Sequence, residues 1–382
     1  MRERFTVVYR LSGTEQEAHQ KALDLCLEQT VELPEDLLPE SVRPVIGQLE
    51  DLSALSANAF RATVSFAAET SAGELTQLLN VIIGNISLKP GYRVEEISLP
   101  ASMTAAYRGP RFGRQGLRQL LQAPSRPLLC SALKPLGLNA AELARLAYQF
   151  ALGGLDIIKD DHGLTDQRYA PFGQRVELCA QAVARANRET GGHSLYVANV
   201  TAPYGEVFKR AGYAKECGAG GLLIAPGLTG FDTLRALADE DALALPLLSH
   251  PACLGSWVLH PEHGIAHLAL FGQINRLAGA DAVIYPSFGG RFSFSRAECQ
   301  QITQGTAQPM HGIKAIFPCP AGGLSLSSIP EQLQVYGQDV MFLMGGGLFR
   351  QGPDIVENCR YFRRLAEEAA QGESPKNSEK NG

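Results

Sequence analysis

A chain of 382 residues with 39 acidic and 34 basic side chains, net charge −5, gives neither nucleic acid nor an anionic membrane an electrostatic reason to bind. Hydrophobic residues make up 45% and charged ones 19%, which excludes a disordered chain and supplies apolar material for two domains. No apolar run nears the roughly 20 residues that span a bilayer, and the charged start MRERFTVVYRLSGTEQEAHQ lacks a signal peptide's apolar segment, so a cytoplasmic protein is expected.

Taken in chain order, FTVVYRL and FRATVSFAAET read as strands, while EQEAHQKALDLCLEQT and AGELTQLLNVIIG read as helices. Residues 1–125 are therefore expected to form a small α+β domain of ferredoxin-like type. From Pro127 onward the pattern changes. PLLCSALKP, LDIIKDD, SLYVANVT, GLLIAPGL, LPLLSHPA, DAVIYPS, KAIFPCPAGG and DVMFLMGGG recur as short apolar runs, many ending in Pro, Gly or a polar residue. Helical patterns lie between them, such as NAAELARLAYQFALGG behind its Asn139 cap. That alternation predicts an α/β fold with a (β/α)8 TIM barrel over residues 126–365. A doubly wound open sheet is the alternative, but no GxGxxG follows the first strand. Residues 366–382 are polar and low in aromatics, and are expected to be a disordered tail. The eight cysteines show no CxxC spacing and read as buried free thiols in a reducing compartment.

Barrel enzymes carry their active sites at the C-terminal ends of the strands. Lys134, Lys159 to His162, Asn199 and His250 fall there, as do the glycines after strands seven and eight. Asp160 and Asp161 are neighbours on an extended strand, so only Asp161 shares the side of Lys159. A lysine beside an acid can be a plain ion pair. It can also be an amine whose pKa is lowered until it adds carbon dioxide, giving a carbamate that with Asp161 suits Mg²⁺. Gly322 and Gly323, with Gly346 and Gly347, are either tight turns or places where backbone N–H groups approach a phosphate. His250 is a candidate acid, base or donor, and Arg291, on a glycine-flanked loop, a clamp for carboxylate or phosphate. His263 and His267, four apart, read as a solvated helix face rather than a metal site, since no third ligand accompanies them.

GGLDIIKDD after ALKPLGL resembles the RuBisCO large subunit, and more closely the RuBisCO-like proteins of form IV. FAAETSAGE, IIGN, RGPRFGRQGLR, SHPACLGSW, GADAVIYPSFGGRF, PCPAGG and MGGG follow in the family's order, so the resemblance spans nearly the whole chain. It implies that Lys159 corresponds to the family's carbamylated lysine and Asp161 to its metal-ligand aspartate, with His162 in place of a glutamate ligand. Mg²⁺ is the implied cofactor. Lys134 corresponds to an active-site lysine of strand one and His250 to the strand-five histidine. Pro251 replaces a phosphate-binding arginine, Arg291 replaces the loop-six lysine, and Ile284 or Tyr285 stands where strand six carries a histidine. Glu69 and Asn85 match residues that the N-terminal domain lends to a partner's site, which implies a homodimer with shared active sites.

These replacements point away from carbon dioxide fixation and towards enediolate chemistry on a phosphorylated substrate. The expected activity is decarboxylation of a branched sugar acid, 3-oxo-isoapionate 4-phosphate, with Lys134, Lys159, His250 and Arg291 as catalytic residues. Asn199 and the four glycines would hold substrate and phosphate. Hydrolytic cleavage of the same substrate, a methionine-salvage enolase or isomerase acting on a methylthio-pentulose phosphate, and a non-catalytic sugar-phosphate-binding protein are the alternatives.

Overall fold

The computed structural model describes residues 3–371. Its N-terminal part is a five-stranded sheet, beginning with β1 (Arg4–Ser12), β2 (Gln48–Ser56), β3 (Ala59–Ala67) and β4 (Tyr92–Ser98). The strand β1 alternates strictly between half-buried and buried residues, placing Phe5, Val7, Tyr9 and Leu11 on the core face. Helices Glu15–Glu28 and Leu75–Ile83 form where the 3.6-residue periodicity puts them, the first opened by a capping box of Thr14 and Glu17. The edge strand β2 was not legible in the sequence: QLEDLSALS exposes most of its side chains and has no apolar alternation to betray it.

The next strands are β5 (Leu128–Leu133), β6 (Ile157–Asp160), β7 (Leu195–Asn199), β8 (Gly221–Ile224) and β9 (Leu247–Ser249). A two-residue strand, β10 (Gly264–Ile265), leaves this series and pairs with β4 of the N-terminal sheet. Then come β11 (Ala282–Pro286), β12 (Phe317–Ala321) and β13 (Met341–Leu343). Eight of these strands pair in parallel in the order β12-β11-β9-β8-β7-β6-β5-β13, a nearly closed barrel with its seam between β12 and β13. The eight apolar runs of the sequence are these eight strands.

Alternation along the strands sorts the barrel's interior from its helix-facing side. Cys130, Ile157, Val197, Leu248, Ile284 and Cys319 belong to the inner cluster, whereas Leu129, Ile158, Tyr196, Val283 and Tyr285 pack outward. Helix Gly113–Leu120 closes the bottom, contributing Leu117 to the inner cluster. Asp281, at the foot of β11, fastens that closure: its carboxylate accepts from the N–H groups of Phe112 (2.8 Å), Gly113 (2.6 Å) and Leu247 (2.9 Å). The last helix, Ile355–Ala370, extends into the segment expected to be disordered because Phe362, Leu365 and Ala366 are buried on one of its faces. The remainder of the tail lies outside the described residues. All eight cysteines are unpaired, and Cys253 is exposed. No helix among the described residues is long and apolar enough to cross a membrane.

Candidate active site

A cavity of about 1380 Å³ opens at the C-terminal ends of the barrel strands. Its floor follows from the alternation on β6. Ile157 points inward, so Lys159 does too, and Asp161 just beyond the strand joins it, while Asp160 turns outward. Asp160 is buried behind the barrel, where it accepts from Arg175 (3.2 Å), Tyr196 OH (2.9 Å) and the Asn199 N–H (3.1 Å). One aspartate therefore anchors the barrel to helix Phe172–Thr190 and the other faces the cavity.

Lys159 is only 2% exposed, and its ammonium donates to the Asp160 carbonyl at 2.8 Å. Burial lowers its pKa, with the Lys134 charge adding to the shift and Asp161 opposing it. Lys134 Nζ meets Asp161 Oδ1 at 2.7 Å, and His162 Nδ1 lies 3.6 Å from the same oxygen. Burial pushes the Asp161 carboxyl up, but hydrogen bonds from His162 and Lys134, together with the Lys159 charge, hold it well below the usual carboxylate range. The His162 ring stacks on His250 at 4.1 Å with 13° between planes. Burial and then the Lys159 charge keep His250 neutral. The Ala252 N–H donates to His250 Nδ1 at 3.2 Å, which assigns the ring proton to Nε2 and makes that nitrogen a donor.

The rim is built by the loops after β11, β12 and β13. Gly322 and Gly323 both have left-handed φ, +85° and +128°. The loop after β11 lies directly against them: the Arg291 N–H donates to the Gly322 carbonyl at 3.0 Å, and a Cβ on Gly323 would sit 3.0 Å from Arg291 N. Their glycine identity thus serves close backbone packing as well as access. Gly346 and Gly347 line the same cavity, as does the Arg291 side chain, which lies over the Phe292 ring.

Lys134, Lys159, Asp161, His162, His250 and Arg291 are thus brought together with the four glycines. Asn199 is placed differently. Its side-chain N–H groups donate to the carbonyls of His162 (3.0 Å) and Leu164 (2.8 Å), so it shapes the loop after β6 and lies outside the cavity lining. Glu69 and Asn85 lie in the N-terminal part, away from this chain's own cavity; Asn85 donates to Glu28 at 3.0 Å. Of the two candidates for the missing strand-six histidine, Ile284 points into the barrel and Tyr285 packs on its outer side. His263 and His267 share no solvated helix face. His267 is 1% exposed, sits against Arg93 at 3.5 Å, and meets the Phe294 ring edge-on at 4.5 Å. Among the lining residues that the sequence reading passed over is Arg350, just past the glycines that follow β13. Its place after a strand-eight glycine run was the available signal.

Mg²⁺ takes hard oxygen ligands in near-octahedral geometry. The side chains here offer one carboxylate oxygen pair, with Oδ1 already on the Lys134 ammonium, and an imidazole, which suits softer metals. Among the described residues no group of three or more His, Cys, Asp and Glu side chains is arranged to hold an ion. As unmodified side chains they do not fit Mg²⁺.

A nearly closed parallel barrel behind a small sheet domain, with lysines and a carboxylate at its mouth, defines a barrel enzyme with its site at the strand ends. More particularly, the chain belongs to the RuBisCO large-chain family, whose model "Ribulose bisphosphate carboxylase large chain, catalytic domain" matches residues 113–380. Within that family it is a RuBisCO-like protein. It is 37% identical to the 5-methylthioribulose-1-phosphate isomerase of Rhodospirillum rubrum, covering 95% of this chain and 96% of that one. The crystal structure of a RuBisCO-like protein from Rhodopseudomonas palustris superposes with a TM-score of 0.88 at 36% identity, covering 96% of this chain and 99% of that one. A dimeric archaeal RuBisCO from Hyperthermus butylicus gives 0.88 at 26% identity, covering 97% and 92%.

Proposed function

We propose that this chain is an isomerase that moves a proton within a phosphorylated methylthio-pentulose through an enediolate. The observation that carries this reading is the convergence of Lys134, Lys159 and His250 around Asp161 on one cavity floor. The Lys159 amine, its charged form disfavoured by burial, takes the proton beside the substrate carbonyl. The Lys134 ammonium and the His250 Nε2–H stabilise the oxygen that gains charge. Return of the proton at the neighbouring carbon completes a redox-neutral isomerisation. The name of the Rhodospirillum rubrum relative supports the choice of substrate class. The glycine loops receive the phosphate, and a partner subunit completes the site with its copies of the Glu69 and Asn85 segments.

A second reading rests on Arg291. Its guanidinium on the cavity wall suits a substrate carboxylate, which a methylthio-ketose lacks. On that reading 3-oxo-isoapionate 4-phosphate loses carbon dioxide and Lys134 or His250 protonates the resulting enediolate; hydrolytic cleavage of the same substrate is its variant. The test is to incubate the protein with each substrate, with and without Mg²⁺ and bicarbonate. Proton NMR then follows the products while released carbon dioxide is measured. Formation of an isomeric pentulose phosphate supports the isomerase. Carbon dioxide release from the keto acid transfers the assignment to the decarboxylase, and its consumption without carbon dioxide to the hydrolase. Binding without turnover of either would leave a sugar-phosphate-binding protein.

A further inference from the structure

His162 is the residue that most weakens the cavity as a Mg²⁺ site, since imidazole suits softer metals. The structure nevertheless holds it from three sides. Its Nδ1 lies 3.6 Å from Asp161 Oδ1. Its ring stacks on that of His250 at 4.1 Å with 13° between planes, so a substrate that meets one ring is within reach of the other. Its carbonyl accepts from the Asn199 side chain at 3.0 Å, which fixes the backbone that carries it. So supported, the side chain lines the cavity and is 47% exposed. A carboxylate beside Nδ1 favours the tautomer with its proton on that nitrogen, which leaves Nε2 as an acceptor pointing away from Asp161.

The isomerisation proposed above moves two protons. One leaves a carbon and returns at its neighbour, and Lys159 serves that transfer. The other passes from the hydroxyl oxygen of the first carbon to the carbonyl oxygen of the second, so its carrier has to accept and then donate. The remaining polar groups of the cavity floor each lack one of those abilities. Lys134 is an ammonium paired with Asp161 and only donates. His250 has its acceptor nitrogen taken by the Ala252 N–H, so its open nitrogen donates. Asp161, held well below the usual carboxylate range, has no proton to give.

We infer that His162 is a catalytic residue that relays a proton between the two oxygens of the enediolate, with Asp161 orienting its ring and Asn199 positioning its backbone. This rests on the isomerase reading and supplies the second proton carrier that the reaction requires. Once Lys159 has taken the carbon-bound proton, His162 Nε2 removes the hydroxyl proton, and Asp161 balances the imidazolium that forms. The same proton is then delivered to the former carbonyl oxygen. The electron pair left on the first oxygen closes the new carbonyl as the Lys159 proton reaches the second carbon. No electrons are gained or lost, and His162 ends in its starting form.

The test follows 5-methylthioribulose 1-phosphate in D2O by proton NMR, with EDTA present, using the wild type, His162→Gln and His162→Ala. In His162→Gln the isomer is expected to form about 10²–10⁴-fold more slowly. Solvent deuterium should still enter the recovered substrate, because Lys159 continues to make the enediolate. Imidazole added to His162→Ala should restore isomer formation, since a cavity of about 1380 Å³ admits it. Unchanged melting temperatures exclude unfolding as the cause. Wild-type isomerisation by His162→Gln overturns the relay and leaves the reaction standing. So does joint loss of exchange and isomerisation without rescue by imidazole. A wild type that isomerises only when Mg²⁺ replaces EDTA also overturns the relay, by returning His162 to the role of a ligand. A wild type that acts only on the keto acid removes the reaction and the relay with it.

Discussion

Lys134 Nζ lies 2.7 Å from Asp161 Oδ1, joining the end of β5 to the end of β6 across the cavity floor. The lysine is 39% exposed and the aspartate 6%, so the pair sits at the boundary between solvent and barrel core. In the proposed reaction its ammonium meets the charge that develops on a substrate oxygen. Lys134→Met removes that cation but keeps the bulk of the side chain. We expect kcat/KM to fall by about 10²–10⁴-fold with the melting temperature little changed; turnover within a few-fold of wild type would remove Lys134 from the chemistry.

Lys159 is a different kind of residue, a lysine with no solvent and no direct carboxylate partner, only the Asp160 carbonyl. Its folded pKa lies below the unfolded value, so the unfolded state binds more protons in the window between them. Stability contributed by this site therefore rises with pH through that window, and the penalty is fully present at lower pH. Lys159→Met should stabilise the protein at neutral pH, on the order of 1 kcal/mol, while abolishing turnover. Denaturant midpoints and initial rates on the same samples check both halves. A destabilised but active variant would contradict the account of Lys159 as a strained functional group.

The metal question has its own experiment. Asp161 and His162 alone do not fit Mg²⁺, whereas carbon dioxide added to the Lys159 amine would supply a further oxygen ligand. Mg²⁺ titrated calorimetrically into bicarbonate-free protein is expected to give no binding heat. Binding that appears only with bicarbonate, and is missing in Lys159→Ala, would assign the ligand set to the carbamate. Tight binding without bicarbonate would contradict the reading of the donor set.

How much of this was legible in the sequence depended on whether the signal was local. Period-two alternation in LDIIKDD already separates Lys159 and Asp161 from Asp160, and the structure keeps that separation. The apolar runs of the barrel announced themselves because parallel strands are buried on both faces. Asn199 misled because strand-end position says nothing about which partners a side chain finds; two carbonyls of the preceding loop claim it. His267 misled for a related reason. Its i, i+4 spacing to His263 suggested a helix, but β10 intervenes to join the N-terminal sheet and carries the two histidines into different surroundings. Such long-range pairings leave no trace in a local pattern.

His267 itself gives a pH prediction. Burial drives its pKa down to about 4, with the nearby Glu298 opposing and Arg93 reinforcing the shift. Neutral in the fold and ordinary when unfolded, it makes the folded state bind fewer protons between those limits. Stability should consequently fall as pH drops from about 6.5 towards 4. Urea denaturation across that range checks this, and His267→Gln should flatten the dependence. An equally steep profile in the variant would place the acid sensitivity elsewhere.

Asp281 tests the scaffold apart from the chemistry. It has no part in lining the cavity, yet one carboxylate accepts from three backbone N–H groups, those of Phe112 and Gly113 at the start of helix Gly113–Leu120 and of Leu247 at the start of β9. Asn at this position keeps the shape but turns one acceptor oxygen into a donor, so at least one of those N–H groups is left facing another donor. Asp281→Asn is expected to cost about 1–3 kcal/mol in chemical denaturation. The surviving folded fraction should retain the wild-type KM, because helix Gly113–Leu120 lies at the end of the barrel opposite the active site. A changed KM at unchanged stability would mean that the bottom closure communicates with the mouth, which the separation of the two ends gives no reason to expect.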